Sequence, residues 1–155
     1  MFEIFLSLHS ILRWIMLLLL LLTLFRAYNG YAKKGVFSSS DRKAALFTMI
    51  SFDIQLVLGL FLYFIFSPTV KLAFSDFGSA MRETNLRYWA VEHLAMMLLA
   101  WAMIHIGWVM IKKEKTDSAK HKKMLIFYLI AFLLLLVAIP WPISSHARPW
   151  LRLAF

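Results

Sequence analysis

Four long apolar stretches constrain this chain more than any other feature of its sequence. They cover residues 4–25, 44–66, 86–111 and 124–140. At a helical rise of about 1.5 Å per residue, stretches of this length match the hydrocarbon core of a bilayer, which is about 30 Å thick. Because lipid offers no hydrogen-bond partners, each stretch must be a helix that satisfies its own backbone. The chain is therefore predicted to be an all-α integral membrane protein with four transmembrane helices.

The composition fits one membrane domain, residues 1–155, and excludes several other classes of protein. Of 155 residues, 62% are hydrophobic, more than soluble domains usually carry. Cysteine is absent, which excludes disulfides, thiolate metal sites and thioether-attached haem. The formal net charge is +9, and the basic residues lie in short loops beside the apolar stretches. We therefore expect contact with anionic lipid headgroups of the bilayer and no binding of nucleic acid.

Basic residues predict how the four helices cross the membrane. Five Lys or Arg residues lie between positions 26 and 43, and six lysines lie between positions 112 and 123. The positive-inside rule places these two loops in the cytoplasm and both termini on the outer, periplasmic side. Short connections then give an up-down-up-down bundle. Residues 68–85 are expected to form a loop, and residues 141–155 an interfacial tail with Trp, Pro and Arg.

The third stretch contains ionisable side chains, which are rare in the rest of the apolar sequence. Its interior contains Glu92, His93 and His105. Ionisable side chains at membrane depth are costly, and they usually mark functional sites. Each of the three is therefore a candidate, and the other stretches can be searched for partners.

His9 in the first stretch is a partner for His93 at the same level. Each lies about five or six residues inside its stretch, roughly 8–9 Å below the outer boundary by helical rise. In a square bundle the first and third helices are diagonal and face each other across the core. Two imidazoles at one depth on diagonal helices suit haem b, whose iron takes a histidine nitrogen on each face. We therefore predict one haem b between His9 and His93.

Three charged residues could complete this site. Arg13 could contact a haem propionate or a quinone oxygen, or it could neutralise Glu92 or Asp53. Glu92 is rotated by about 100° from His93, so it is expected to face a neighbouring helix or its own hydrogen-bond network and to tune charge or relay protons. Arg148 lies in the tail on the same side, where it could cover a propionate or anchor the tail to headgroups.

The deeper polar residues are expected to form a separate group. His105 lies about 18 Å deeper than His93 by helical rise, and its nearest polar partner is Asp53 in the second stretch. This pair could be a proton-handling site, a quinone contact or a structural hydrogen bond, of which we favour the last. Gln55 is about 200° from Asp53 around the same helix, so one of the two is expected to point out of the bundle, toward lipid or a further subunit. His121, in the basic loop, is expected at the cytoplasmic surface.

Segments spread over nearly the whole chain resemble a known family. HSILRW in the first stretch, IQLVLGLFLYF in the second, YWAVEHLAMM in the third and AKHKKMLIFYLIAFLLLLVAIPWP leading through the fourth are similar to small four-span bacterial proteins, common in the Bacteroidetes, that are labelled cytochrome B or cytochrome b561-like. The resemblance implies haem b and electron transfer in the bacterial inner membrane, with His9 and His93 as ligands. True cytochrome b561 proteins carry paired histidines for two haems, whereas the second and fourth stretches here contain none.

Three functional hypotheses follow. The leading one is an electron-transfer protein, not a self-contained enzyme, that binds one haem b and passes electrons between a quinol and a partner protein or larger complex. The first alternative is a haem-free accessory or assembly subunit whose polar residues hold helices together. The second is a small membrane metal-binding protein with His9, Glu92 and His93 as ligands of zinc or iron, although adjacent Glu92 and His93 point about 100° apart. A homo-oligomer is compatible with each hypothesis.

Overall fold

A computed structural model describes residues 1–152 of the chain. The structure is 81% helix, with no strand among these residues. Its helices are α1 (Phe2–Ala32), α2 (Ser39–Phe66), α3 (Pro68–Ser75), α4 (Phe77–Ala80), α5 (Thr84–Lys113) and α6 (Asp117–Ala138). One π-helical turn ends α2 at Leu62–Phe66, and another lies near the start of α5 at Tyr88–Glu92.

The helices α1, α2, α5 and α6 are long and apolar enough to cross a membrane, which confirms the four predicted spans. Their outward faces carry exposed apolar side chains, such as Leu18 at 66% and Val137 at 74% exposure. Surfaces of this kind suit lipid and would be costly in water. The last helix ends at Ala138, two residues earlier than expected, because the ring of Pro140 cannot continue it.

The four long helices pack so that α1 contacts α2 and α6, and α5 contacts the same two helices. Two contacts show that neighbouring helices run in opposite directions. Arg26 near the end of α1 pairs with Asp41 at the start of α2 at 2.9 Å, and His93 in the first half of α5 contacts Ala138 at the end of α6. His9 and His93 line one cavity and so lie at the same end of the bundle, which we call the His9 end.

Interhelical hydrogen bonds and close packing hold the interior together. Thr23 Oγ1 and Thr48 Oγ1 are 2.8 Å apart in a fully buried contact between α1 and α2. The buried Tyr128 hydroxyl donates to the Ala45 carbonyl at 3.0 Å and so joins α6 to α2. Because lipid is as apolar as a protein core, contacts of this kind carry much of the association between membrane helices.

His121 lies inside the bundle, so the prediction that it sits at the cytoplasmic surface is wrong. The residue is 1% exposed, and its ring packs against Phe37 with 5.0 Å between ring centroids. Gly30 provides the space, since a Cβ at that position would lie 2.1 Å from the Cε1 atom of His121. Position 121 falls in the second turn of α6, where the helix turns this side chain toward α1 while the neighbouring lysines stay accessible.

The segment 68–85, predicted as a loop, contains the short helices α3 and α4. Pro68 occupies the first turn of α3, where its missing N–H is not needed. Ser67 caps the same helix, because its side-chain oxygen accepts from the backbone N–H of Val70 at 3.3 Å. The prediction missed these helices because eight and four residues are too short for a clear periodic pattern.

The tail folds back over the His9 end. The carbonyl of Trp150 accepts hydrogen bonds from Arg13 Nη2 at 2.6 Å and from Trp14 Nε1 at 2.8 Å. The side chain of Arg152 pairs with Glu3 at 2.8 Å. The tail is thus attached to α1 through the side chains of Glu3, Arg13 and Trp14. Residues 153–155 of the predicted tail lie outside the described residues.

Candidate functional site

A largely apolar cavity of about 180 Å³ opens at the His9 end, between the long helices. His9 and His93 both line this cavity, and so do Arg13 and Arg148. The apolar part of the wall includes Leu6, Met16, Phe52, Leu56, Met97 and Leu135. The fold therefore brings the two histidines singled out in the sequence to one site, together with two of the candidate cations.

His93 is oriented by the end of α6. Its Nδ1 atom lies 2.9 Å from the carbonyl oxygen of Ala138, and the Tyr88 hydroxyl donates to the same oxygen at 2.7 Å. Ala138 is the last residue of α6, so its carbonyl has no partner within the helix. Because α6 ends before Pro140, the carbonyl of Ala138 is free to accept hydrogen bonds from Tyr88 and His93 of α5.

This hydrogen bond decides which nitrogen of His93 is open to a ligand. A carbonyl oxygen can only accept, so Nδ1 must carry the proton, and in a neutral imidazole Nε2 then holds the lone pair. Metal-binding histidines usually donate their other ring N–H to a carbonyl or carboxylate in this way. The π-helical turn Tyr88–Glu92 lies directly before His93, and such turns are frequent at functional sites.

His9 is held by its backbone and by close approach of α2. Gln55 Nε2 donates to the backbone carbonyl of His9 at 3.0 Å. Gly59 lies against the imidazole, since a Cβ there would be 3.3 Å from the Cε1 atom of His9. The Nδ1 atom of His9 is buried and has no hydrogen-bond partner among residues 1–152. A buried polar atom without a partner is costly, and in a cavity wall it suits the binding of a ligand at this ring.

The mouth of the cavity is positively charged. Arg13 and Arg148 have no carboxylate within ion-pair distance among the described residues, whereas Arg152 is neutralised by Glu3. The guanidinium of Arg148 stacks over the Trp89 ring at 4.8 Å, and burial lowers the pKa of Arg148. The predicted pairing of Arg13 with Glu92 or Asp53 is wrong, because Arg13 is hydrogen-bonded to the tail. A ligand with an apolar body and anionic groups would match the apolar wall and the positively charged mouth of this cavity.

Glu92 faces away from the site. Its carboxylate pairs with Arg87 at 2.6 Å, and it does not line the cavity that His9 and His93 share. Adjacent positions on a helix point about 100° apart, which explains why Glu92 and His93 diverge. Among the described residues no group of three or more His, Cys, Asp or Glu side chains could hold a metal ion. A site formed by His9, Glu92 and His93 together is therefore not assembled.

Asp53 and His105 meet as predicted. The Nε2 atom of His105 is 2.8 Å from Asp53 Oδ1, and Trp101 Nε1 donates to the same oxygen at 2.7 Å. Gln55 is 7% exposed and faces α1. Of the two, Asp53 takes the outward position, with its side chain 42% exposed, although its carboxylate is also hydrogen-bonded to α5. The two side chains leave α2 on different sides, and each side meets a different neighbouring helix.

Several residues of the site were missed from the sequence. Tyr88, Gln55 and Gly59 fix the two histidines, yet none was considered as part of a haem site. A glycine inside an apolar stretch was the one available signal, because it often marks close approach of a backbone to a ligand or to another side chain. The contacts of Tyr88 with Ala138 could not be foreseen, since they depend on where α6 ends.

Comparisons with known proteins add no assignment. A scan against protein-family models finds no match, and searches of curated proteins and of solved structures find none.

Proposed function

We propose that this protein is a membrane cytochrome b-like electron carrier that binds one haem b between α1 and α5. In this proposal it passes electrons between a quinol and a partner protein or larger complex. The observation that carries the proposal is the shared cavity of His9 and His93, in which His93 presents Nε2 because Nδ1 is bound to the Ala138 carbonyl.

The residues around the cavity fit haem b in three respects. Two imidazoles are offered from separate helices, as expected for axial ligation on both faces of the iron. The wall is largely apolar, which suits the macrocycle and sets a low dielectric around it. Arg13 and Arg148 supply positive charge without a carboxylate partner among the described residues, which suits two propionates.

When bound, haem b supplies one-electron redox chemistry at its iron. The protein's own residues bind and orient it. His9 and His93 offer the ligand nitrogens, and Tyr88 helps to hold the carbonyl that fixes the tautomer of His93. The tail covers the site, since Trp150 is hydrogen-bonded to Arg13, and this cover limits the access of water. The local charge of Arg13 favours an anionic ligand and stabilises its reduced, more negative state.

The membrane orientation belongs to the same proposal. The lysine-rich loops would face the cytoplasm of a bacterium by the positive-inside rule, so both termini and the His9 end would face the outside of the inner membrane in an up-down-up-down bundle. The charge distribution supports this, because six lysines lie between positions 112 and 123, at the opposite end of the bundle from His9.

A reduced-minus-oxidised absorption spectrum of the purified protein tests the haem proposal. Wild-type protein should show the α-band of a low-spin haem b with two nitrogen ligands. His93→Ala and His9→Ala should each lose this band or convert it to a high-spin spectrum, because one axial ligand is removed. A colourless wild-type protein, or variants with an unchanged band, would contradict the proposal.

His105→Ala is the matched control for these variants. It removes another histidine from the same helix, but His105 lies outside the cavity wall and contacts Asp53. Its α-band should therefore match the wild-type band in position and height. If His105→Ala lost the band while His93→Ala kept it, the assignment of the ligands would be wrong.

A further inference from the structure

A second polar site lies apart from the cavity wall, where α2 and α5 meet. Asp53 Oδ1 accepts hydrogen bonds from Trp101 Nε1 and His105 Nε2 at 2.7 and 2.8 Å. The side chains of Asp53 and His105 are 42% and 33% exposed, and neither residue lines the cavity of His9 and His93. An ionisable pair is therefore accessible from outside the bundle.

This pair lies deep in the membrane. Asp53 is about 21 Å along α2 from Ser39 by helical rise, in a helix of 28 residues. Around it the surface is apolar, since Ile54, Val57 and Val109 are all exposed. The accessible side of the pair thus faces the acyl region of a bilayer. Polar groups in such a position are costly and usually have a functional partner.

The carboxylate of Asp53 has one oxygen left for a partner. Both hydrogen bonds go to Oδ1, and no donor from the described residues reaches Oδ2. A buried oxygen without a partner would be one of the buried, unpartnered polar atoms of the described residues, and Oδ2 is not one of them. Oδ2 is therefore accessible and can only accept while the carboxylate is ionised. The ring of Trp101 packs against His105 at a tilt of 43°, with 4.3 Å between the ring centroids, and holds the pair from the cavity side.

We infer that the Asp53–His105 pair binds a hydroxyl group of a hydroquinone dissolved in the bilayer core. The phosphates and hydroxyls of phospholipids stay at the interface, so a ligand that reaches this depth must be soluble in hydrocarbon and still carry a donor. A hydroquinone carries two hydroxyl donors, whereas the oxidised quinone offers only acceptors. The site therefore selects the reduced form.

Trp101 connects this site to the proposed haem site. Its indole N–H binds Asp53, and the same residue lines the cavity that His9 and His93 share. A hydroquinone at Asp53 would thus be separated from the cavity by a single side chain. The inference rests on the proposed function for the role of this ligand as the electron donor, but binding of the hydroquinone does not require haem.

Binding can be measured with a short-tailed ubiquinol, decylubiquinol, and the full-length protein in lipid nanodiscs. Wild-type protein should bind it saturably, and decylubiquinone should bind about tenfold more weakly, the difference expected for one charge-assisted hydrogen bond. Asp53→Asn should weaken decylubiquinol binding about tenfold or more, because an amide N–H replaces the accepting oxygen. Asp76→Asn, which removes a carboxylate in the segment between α2 and α5, should bind like the wild type.

A second measurement needs no variant at Asp53. A ubiquinol analogue with a diazirine group should label wild-type protein within residues 50–57 and 101–109. Labelling at other positions, equal affinity for both redox forms, or an unchanged Asp53→Asn variant would overturn the inference. A disulfide between two copies of Ile54→Cys that also blocks labelling would overturn it too, because a second copy of the chain would then cover the pair.

The two proposals fail in different ways. Protein that binds decylubiquinol but shows no α-band refutes the haem assignment and leaves the hydroquinone site standing. Protein with a normal α-band that neither binds nor is labelled refutes the hydroquinone site alone.

Discussion

Replacing Gly30 with alanine tests how closely α1 and α6 approach each other. A Cβ at position 30 would lie 2.1 Å from Cε1 of His121 and 2.4 Å from both ring nitrogens, whereas nonbonded carbons prefer about 3.5–4.0 Å. The imidazole is 1% exposed and is held against Phe37, so it has little room to move. The helices must separate, or the ring must adopt a strained conformation.

The size of the effect follows from two opposing contributions. Overpacking a filled interior usually costs about 1–3 kcal/mol, occasionally more. Without the clash, alanine would stabilise a helix over glycine by about 0.5–1 kcal/mol. Gly30→Ala should therefore lower the free energy of unfolding by up to about 2.5 kcal/mol in the wild-type background and raise it by about 0.5–1 kcal/mol when His121 is also alanine. The coupling between the two positions should equal the cost of the clash, about 1–3 kcal/mol.

Reversible unfolding in mixed detergent micelles, followed by circular dichroism, measures these energies for both single variants and the double variant. Gly35→Ala is a matched control, because a Cβ there would meet only the backbone of Gly30 at 3.9 Å. Its stability should stay within about 0.5 kcal/mol of the wild type. A coupling below about 0.5 kcal/mol would refute the packing described for His121.

Three further predictions use the same protein in detergent. Asp41→Ala should lower the free energy of unfolding by about 1–2 kcal/mol, since it removes a helix-capping carboxylate and the 2.9 Å ion pair with Arg26; an unchanged stability would contradict this. Tyr88→Phe should cost about 0.5–1.5 kcal/mol by removing the 2.7 Å hydrogen bond to Ala138, and a neutral effect would show that this bond is not formed. Hydrogen bonds from backbone N–H groups lower the pKa of Glu83, so its carboxylate should titrate by NMR below the ordinary glutamate value; its stabilising contribution should be present above the unfolded pKa and lost as the pH falls through the folded pKa. Titration at or above the ordinary value would contradict these hydrogen bonds, by which Glu83 caps the start of α5.

The sequence was sufficient for the membrane helices and for part of the site. Apolar length alone located the four spans, since hydrocarbon thickness leaves little choice. The Asp53–His105 pair was found by depth, because few polar groups compete for partners inside a membrane.

The remaining errors come from contacts between distant parts of the chain. Burial of His121 depends on Gly30 being opposite it, and no local pattern in AKHKK distinguishes a buried histidine from an exposed one. The hydrogen bond from Arg13 to Trp150 joins residues 137 positions apart. Asp53 and Gln55 lie on different sides of α2, as their spacing predicted, but the helix that contacts Gln55 could not be identified from the sequence.

The ratio of haem b to protein chain, measured by haemochrome assay on purified protein, tests the central claim most directly. The proposed site predicts one haem for each wild-type chain and a large loss of haem in both His9→Ala and His93→Ala, with His105→Ala unchanged. A wild-type chain without haem, or with two haems, would contradict it.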